Sequence, residues 1–563
     1  MQPQKVLRPI SSYERYEDPA DTEIFPPGKI FRISYSICVG KARIRCLNER
    51  DLEDIRRCYS EENKNAFFLK LHGYAVSGRN YMVNQFGYFP IGFTLEILRY
   101  IKLRYGSLSQ VAFSDGFRRL LDERVVPLKK MLGEVKPKDF DVLCVSDDSG
   151  VNERNESSGE KTFGFRSYQR DAIRNLLVGG WGRGIIEVGT SGGKTFILCN
   201  LIYNIWKQIN RNARVLVLVP NKQLVYQMRN DFLEYGLRED CMTIFTRHSR
   251  GDLPYDASRN LIIANRQYVF TNMKLLPPID VLVCDEVHTA TAEKTQNCIR
   301  AIDPILKFGC TGSMPGDRFE RWKLNAEFGN VVYSKPVGEL QRDGFVSKMK
   351  LTQISVVDPN VDGNRDLLFN VYSRRKYSPD ENGYSEVAFN EAHDAEHEYC
   401  EKYYRDLYKP VIEYVGKFES NTLLLFGRIE MGKNLSELAR ELLPERKVYY
   451  IDGSVPVKNR LEITNCMETS ERNVLFAEFA TFSTGISVKN LTNLVFIGDT
   501  KSLVRCLQSI GRTLRLHKDK DYARIIDVSF KDFKYSQRHL RERLMIYREH
   551  YGKVPDEKLV FTI

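Results

Sequence analysis

Ten short apolar runs, in two sets of five, constrain this chain more than any other feature. The first set is "GIIEV", "RVLVLV", "NLIIA", "DVLVCD" and "KFGCTG"; the second is "NTLLLFG", "KVYYID", "NVLFAEF", "NLVFIGD" and "ARIIDV". Each run is rich in Val, Ile, Leu or Phe, and helical patterns separate them. A strand apolar on both faces must be covered on both faces, which is the signature of parallel sheets joined by crossover helices. The expected fold is therefore α/β, with two parallel-sheet lobes in tandem. A small α/β domain precedes them, mixing the alternating run "ICVGKARIRCL" with the helical stretches "ERDLEDIRRCY" and "FTLEILRYIKLRYG".

With 563 residues the chain has room for three or four domains of roughly 150 residues. The boundaries read as an N-terminal domain over 1–146, a linker over 147–162, a first lobe over 163–346 and a second over 347–529. The second lobe opens on an irregular insertion near 355–395, and a basic helical tail fills 530–563. The linker "DDSGVNERNESSGEK" is almost free of apolar residues.

Between the first strand and the next helix lies "VGTSGGKT", residues 188–195. A strand, a glycine-rich turn and a helix N-terminus form a phosphate-binding loop, in which backbone N–H groups and the helix dipole face the anion. Gly189, Thr190, Ser191, Gly192 and Gly193 would wrap the phosphates. Lys194 would reach the outer ones, and Thr195 would hold Mg2+. The strict pattern places glycine at position 188, where this chain has Val188; a strand-end valine keeps negative φ and leaves the loop feasible. A surface turn with an ordinary lysine is the alternative for this stretch alone.

A second group decides between them. "DEVH" follows the strand "DVLVC" and places Asp285 and Glu286 at the edge where parallel sheets open. Asp285 can hold Mg2+, and Glu286 can orient and deprotonate a water for attack on a γ-phosphate. A third group, "QSIGRTLR", supplies Gln508, Arg512 and Arg515 from the second lobe. Arg512 and Arg515 share a helix face at a spacing of three. An arginine aimed at the γ-phosphate can raise the rate by ~10³–10⁵. The three groups in this order make an NTPase.

These residues resemble the superfamily 2 helicases and translocases, and the match runs in family order from about Phe163 to Val528. The adenine-sensing motif resembles "FRSYQRDAI", which implies Gln169 as the adenine reader. Motif Ia resembles "VLVLVPNKQLVYQ", with Pro220 and Gln227, and a further motif resembles "IIANRQYV", with Gln267. Motif III resembles "CTGSMP", where Thr311 and Ser313 would couple hydrolysis to lobe movement, with His288 bridging to motif II. Motif IV resembles "LLLFGR", with Phe426 and Arg428. Motif V resembles "FATFSTGISVKNL", with Thr481, Ser483 and Thr484 on DNA and Gly485 at the nucleotide.

"FSTGISVKNL" with "CLQSIGRTLR" is similar to the phage UvsW branched-DNA helicase family, which also places serine where Ser191 stands. The N-terminal block resembles that family's accessory DNA-binding domain. The resemblance implies two RecA-like lobes, ATP and Mg2+ as substrate and cofactor, and DNA as partner: branched, duplex, or an RNA–DNA hybrid. It implies an ATP-driven helicase or translocase acting on forks, Holliday junctions and R-loops. A duplex translocase without strand separation, an RNA helicase and an ATP-gated transcript-release or binding factor stay open. Two departures stand out: Gly189 occupies a usual proline position, and Arg266 sits where tryptophan is frequent.

Composition agrees with these readings. A net charge of +11 suits a polyanionic partner. Arg43, Arg45, Arg79, Tyr81, Tyr88, Lys102, Arg104 and Tyr105 interleave aromatics with cations, which suits stacking and phosphate contact as well as a solvated face. The twelve cysteines show neither C-x-x-C nor zinc-finger spacing and read as free thiols in a reducing cytoplasm, the host's if the chain is viral. No apolar run reaches the ~20 residues of a membrane span, and no membrane partner is expected. The expected assembly is a monomer or a weak oligomer.

Overall fold

A computed structural model gives the structure. It describes residues 25–35, 41–63, 66, 77–136, 140, 164–180, 182–247, 254–358, 396–483, 488, 490–497, 509–511, 513–514 and 522–563. The described chain forms two compact units. One runs to Val188 and resumes at Gly193–Lys335; the other comprises Pro336–Ile563 together with Gly189–Gly192.

The first unit opens with strands β1 (Phe31–Tyr35) and β2 (Lys41–Cys46), helix α1 (Glu49–Cys58), strands β3 (Ser60–Glu62), β4 (Arg79–Tyr81) and β5 (Tyr88–Pro90), helix α2 (Thr94–Tyr105), strand β6 (Val111–Phe113) and helices α3 (Asp115–Leu120) and α4 (Val126–Gly133). Asn48 caps α1 by accepting from Arg50 N, and Gly106, at φ 73°, ends α2. The sheet order is β5-β2-β1-β6, antiparallel except for the β1–β6 pair. Phe31, Ile33, Ile44, Ile55, Ile97 and Ile101 fill its core.

That core does not end at the small domain. Trp322, Ala326 and Phe319 of a later helix belong to it. The Trp322 ring meets Tyr59 edge-on at 5.5 Å and Phe93 at 6.2 Å. Gly92 lies so close to the chain that a Cβ there would sit 1.8 Å from Ala326 O. Arg318 lies over the Trp322 ring at 4.6 Å and pairs with Glu61 at 3.7 Å.

The rest of the first unit is helix α5 (Ser167–Arg174), strand β7 (Arg183–Val188), helix α6 (Lys194–Gln208), strand β8 (Val215–Val219), helix α7 (Lys222–Glu234), strands β9 (Met242–Phe245) and β10 (Leu261–Asn265), helix α8 (Arg266–Asn272), strand β11 (Val281–Cys284), helix α9 (Glu293–Ile302), strand β12 (Leu306–Thr311), helix α10 (Arg318–Phe328) and strand β13 (Val331–Lys335). The sheet order is β13-β7-β12-β11-β8-β10-β9, all parallel. All five expected apolar runs are strands of this sheet, and β8, β10, β11 and β12 are buried throughout. Order and direction make it a RecA-like lobe. Helix α10, which seats the small domain, lies against β7 and β12.

The second unit contains helix α11 (Val337–Arg342), strand β14 (Lys348–Val357), helix α12 (Tyr404–Val415), strand β15 (Thr422–Phe426), helix α13 (Ile429–Leu442), strand β16 (Val448–Ile451), helix α14 (Val457–Thr469), strand β17 (Val474–Glu478), helix α15 (Phe479–Ser483), strands β18 (Asn493–Phe496) and β19 (Tyr522–Phe530), helix α16 (Lys534–Tyr551) and strand β20 (Glu557–Thr562). Its parallel sheet has the order β16-β17-β15-β18-β19-β14-β20. Two expectations are corrected. Ser355–Val357 continue β14, because they extend its pairing with β19 and β20. The segment after Phe530 is no separate tail: β20 joins the sheet beside β14, and Phe533 enters the core. Most of the expected insertion, 359–395, lies outside the described residues.

Helix α16 is held by a buried ion pair. Arg543 donates Nε to Asp527 Oδ2 at 2.9 Å and Nη2 to Oδ1 at 2.7 Å, and Tyr547 Oη donates to Oδ2 at 2.6 Å. Asp527 and Arg543 are 0% and 1% exposed. Removing one partner strands the other charge in the core. Arg543→Met should cost ~3–5 kcal/mol, and adding Asp527→Leu should recover much of that loss. Urea unfolding of both variants checks this; a double variant as weak as the single one would deny the pair its stranded-charge cost.

Candidate active site

The site grows from the C-terminal ends of β7, β11 and β12. Val188, fully buried, is the last residue of β7. In the following turn, Gly192 N donates to Gly189 O at 3.0 Å. Ser191 (φ 66°) and Gly193 (φ 75°) are both left-handed, which turns the backbone into a concave nest suited to an anion. Helix α6 starts at Lys194, so its free N–H groups and dipole face the same concavity. Gly189 has a packing reason as well: a Cβ there would lie 2.4 Å from Val337 Cγ2 and 2.8 Å from its N.

Gln169 is buried against this loop. A Cβ on Gly193 would sit 2.5 Å from its Nε2, while its Oε1 accepts from Arg166 N at 3.0 Å and caps α5. The resemblance assigns Gln169 to adenine; here its amide also abuts the phosphate loop.

Asp285 prolongs β11 by donating its N–H to Leu218 O at 2.9 Å. Some of its surface stays open, but protein encloses the carboxylate, and that enclosure governs its charge. The carboxyl is pushed up to about 6, by burial first and by the Glu286 carboxylate second; Lys194 and the Glu286 N–H, which donates to Asp285 Oδ1 at 2.9 Å, pull the other way. A buried carboxylate opposite a lysine and a helix N-terminus is a fitting ligand for Mg2+. Thr195, one residue beyond Lys194 on α6, is partly exposed there.

Glu286 is also left-handed, at φ 45° and ψ 53°, a conformation that costs a non-glycine residue ~1–2 kcal/mol. Its Oε2 lies 3.2 Å from His288 Nδ1. The same Nδ1 is 2.8 Å from Thr311 Oγ1, whose hydroxyl donates to Ser313 O at 2.8 Å. That donation uses the only hydroxyl proton, so Thr311 accepts from His288 and Nδ1 carries the hydrogen. The structure thus brings Glu286, His288, Thr311 and Ser313 together.

Two participants escaped the sequence reading. Glu187, in β7, accepts from Met314 N at 2.9 Å and from Ser334 Oγ at 3.3 Å, tying the turn after β12 to the strand before the loop. Arg266 is buried and bonded to the backbone of Asp285 and Glu286. Its position among DNA-contact motifs hid this; a cation one residue past a strand that neighbours β8 was the available signal.

The expected DNA contacts fare unevenly. Gln267 is exposed on α8 and Gln227 partly exposed on α7. Pro220 O accepts from Asn265 Nδ2 at 3.3 Å. Phe426 is a correction: it is 1% exposed and stacks on Tyr450 at 5.5 Å inside the second unit's core, so it grips no DNA. Thr481 is also turned inward, donating to Glu478 Oε2 at 2.7 Å. Arg428, partly exposed, begins α13. The Ser483 side chain, Thr484, Gly485, Gln508, Arg512 and Arg515 lie outside the described residues. Tyr88 lies under Arg43 at 5.1 Å, and Tyr105 donates to Asp51 Oδ1. Cys199, Cys284 and Cys310 are buried free thiols; Cys58 and Cys466 are exposed.

Two family models match the chain. The model described as type III restriction enzyme, res subunit, covers residues 162–315, and the helicase conserved C-terminal domain covers residues 408–517. They fall on the two parallel sheets. The chain carries the two domains of a superfamily 2 helicase. Helicase domains and relatives described as ATP-dependent helicases make it an ATPase. The ATP-dependent DNA helicase uvsW of Enterobacteria phage T4 is 26% identical over 442 residues, covering 77% of this chain and 80% of the relative. The crystal structure of T4 UvsW aligns over 95% of this chain and 99% of its own, at 20% identity and a TM-score of 0.40. A type ISP restriction-modification enzyme, LlaBIII bound to DNA, shares the fold at a TM-score of 0.53 and 16% identity, over 72% of this helicase and 32% of that chain. Among the described residues no helix is long and apolar enough to cross a membrane.

The raised Asp285 carboxyl gives a pH-dependent prediction. Its contribution to stability is full below its ordinary 3.8 and is lost as pH rises through about 6. Without ligands, Asp285→Asn should therefore be more stable than the parent above that range, by up to ~3 kcal/mol, with the gap closing below about pH 4. Calorimetry in chelator across this range checks it; a gap independent of pH would refute burial of the charge as its source.

Proposed function

We propose that this helicase is a DNA-stimulated motor that unwinds or branch-migrates branched DNA: forks, Holliday junctions and R-loops. The observation that carries the reading is the alignment with a phage DNA helicase over 77% of this chain, which reaches beyond the motor lobes in length. The N-terminal domain adds support, since it is seated on the first lobe through Trp322 and Gly92. Residues 1–146 then form an accessory DNA-binding domain.

Within the site, Lys194 and the 189–193 nest bind the ATP phosphates. Thr195 and Asp285 hold Mg2+, which supplies charge neutralisation on the phosphates. Glu286 orients a water and takes its proton beside His288, whose Nδ1 lies 3.2 Å from the carboxylate and gives its hydrogen to Thr311. Thr311 and Ser313 join the His288 ring to the end of β12, which suits them to relay hydrolysis to the sheet. Gln508, Arg512 and Arg515, the arginine-bearing motif, take part in ATP hydrolysis. Pro220, Gln227, Gln267 and Arg428 contact the strand, chiefly its backbone, which makes binding sequence-tolerant and salt-sensitive.

Branched DNA suits such a motor energetically. Opening a base-pair step costs about 1.4 kcal/mol of stacking. In branch migration one pair forms as another breaks, so direction matters more than force.

The parent chain should hydrolyse ATP faster with forked DNA, and Lys194→Ala should abolish turnover. Strand displacement on forked DNA, four-way junctions, RNA–DNA hybrids and RNA duplexes locates the substrate class. Preferred action on RNA duplexes, or duplex translocation without displacement on any branched substrate, would defeat this reading.

A further inference from the structure

Helix α8 begins with two adjacent residues that serve different surroundings. Gln267 is exposed, whereas Arg266 is 5% exposed. The Arg266 fork closes on the turn after β11. Nη1 donates to Thr289 Oγ1 at 2.6 Å; Nη2 donates to Asp285 O at 2.8 Å and to Glu286 O at 3.0 Å. Thr289 Oγ1 in turn donates to Glu286 O at 2.8 Å. Thr289 N donates to the same oxygen at 3.0 Å, so the carbonyl of the one left-handed residue in this turn is held three times. The Arg266 Nε is enclosed without an acceptor, so a guanidinium sits buried here without full pairing, an arrangement a core tolerates poorly.

The same helix start is tied to a second loop. The Asn265 side chain accepts from Tyr268 N at 3.0 Å, capping α8, and donates to Pro220 O at 3.3 Å. One short element thus joins Pro220 and Gln267, the strand-facing candidates, to the backbone carrying Asp285 and Glu286.

We propose that Arg266 is a positioning residue that aims the Glu286 carboxylate and makes this aim depend on where α8 lies, so that nucleic acid held at Pro220 and Gln267 raises ATP turnover. The proposal rests on the motor reading above. Arginine suits the role because its planar fork spans two adjacent carbonyls and a hydroxyl at once; a lysine ammonium keeps the charge but cannot span them.

The test measures kcat and KM for Mg–ATP, with and without saturating forked DNA, in the full chain and its Arg266→Lys, Arg266→Met and Thr289→Ala variants. Arg266→Lys should leave KM within about twofold and reduce the DNA-stimulated kcat about tenfold or more, shrinking the ratio of stimulated to basal rate. Arg266→Met should shrink the ratio at least as far. A simple brace predicts something else: both rates fall by one factor, the ratio holds, and that result overturns the proposal. Should the Arg266 variants fail to fold, Thr289→Ala decides, since it removes only the two bonds of one hydroxyl at an exposed position. A ratio lowered about threefold supports the proposal, and an unchanged ratio overturns it. A parent chain that no nucleic acid stimulates would overturn the motor reading and this proposal together, a result distinct from a stimulated parent with stimulated variants.

Discussion

The site depends on one costly act, the enclosure of the Asp285 carboxylate at the end of a buried strand. The parallel register fixes where that strand stops: Cys284 pairs with Leu218 on one side and Gly309 on the other. The Asp285 N–H then takes Leu218 O, so the carboxylate cannot swing out with a fraying end. The surroundings offset the cost in part, through Lys194, the Glu286 N–H and the buried Arg266. None of these neutralises it, and the raised carboxyl records the remainder. A carboxylate so placed has more to gain from a divalent cation than from any side chain nearby. The strain at Glu286 belongs to the same arrangement: a left-handed turn puts the second carboxylate beside the first, with Arg266 on its backbone and His288 alongside.

The small domain's attachment has a similar economy. Its core does not close on itself; it borrows Trp322 and Ala326 from α10. A domain of this size buries little apolar surface alone, and a shared tryptophan, T-shaped against Tyr59 and Phe93, enlarges the core where the two meet. The same helix α10 also lies on β7 and β12, the strands that carry the phosphate loop and Thr311. The aromatic-and-cation pairs legible in the sequence partly serve this domain's own packing, as Arg43 over Tyr88 and Arg56 over Tyr81 do.

The sheets were legible because continuous apolar runs have one reading: burial on both faces. The strand β20 was not, because its burial alternates at an exposed edge and "EKLVFT" carries two charges at its start. Motif chemistry was legible as residue types in order, and the structure gathers Lys194, Asp285, Glu286, His288 and Thr311 at one edge of the first sheet. Direction was not. Phe426 and Thr481 sit at motif positions yet turn inward, and a one-dimensional pattern cannot tell which face a strand-end residue takes. Arg266 shows the converse. Beside a DNA-contact glutamine it read as a departure from a usual tryptophan; in three dimensions its first-turn place on α8 puts the guanidinium under the catalytic turn.

The phosphate loop's own departures have local causes. Val188 pairs with Lys335 and is sealed in the core, so the strand continues one residue further than a glycine at that place would encourage. The need for a bare backbone then moves to Gly189, where Val337 leaves no room for a Cβ. That crowding also accounts for the missing proline, whose ring would collide there. Ser191 accepts a left-handed turn that glycine would take freely, and Gly193 takes the next one against the Gln169 amide. The loop therefore keeps the backbone shape that phosphate binding requires while redistributing its glycines to suit the packing around it. Conformation, rather than a letter pattern, is what the anion selects.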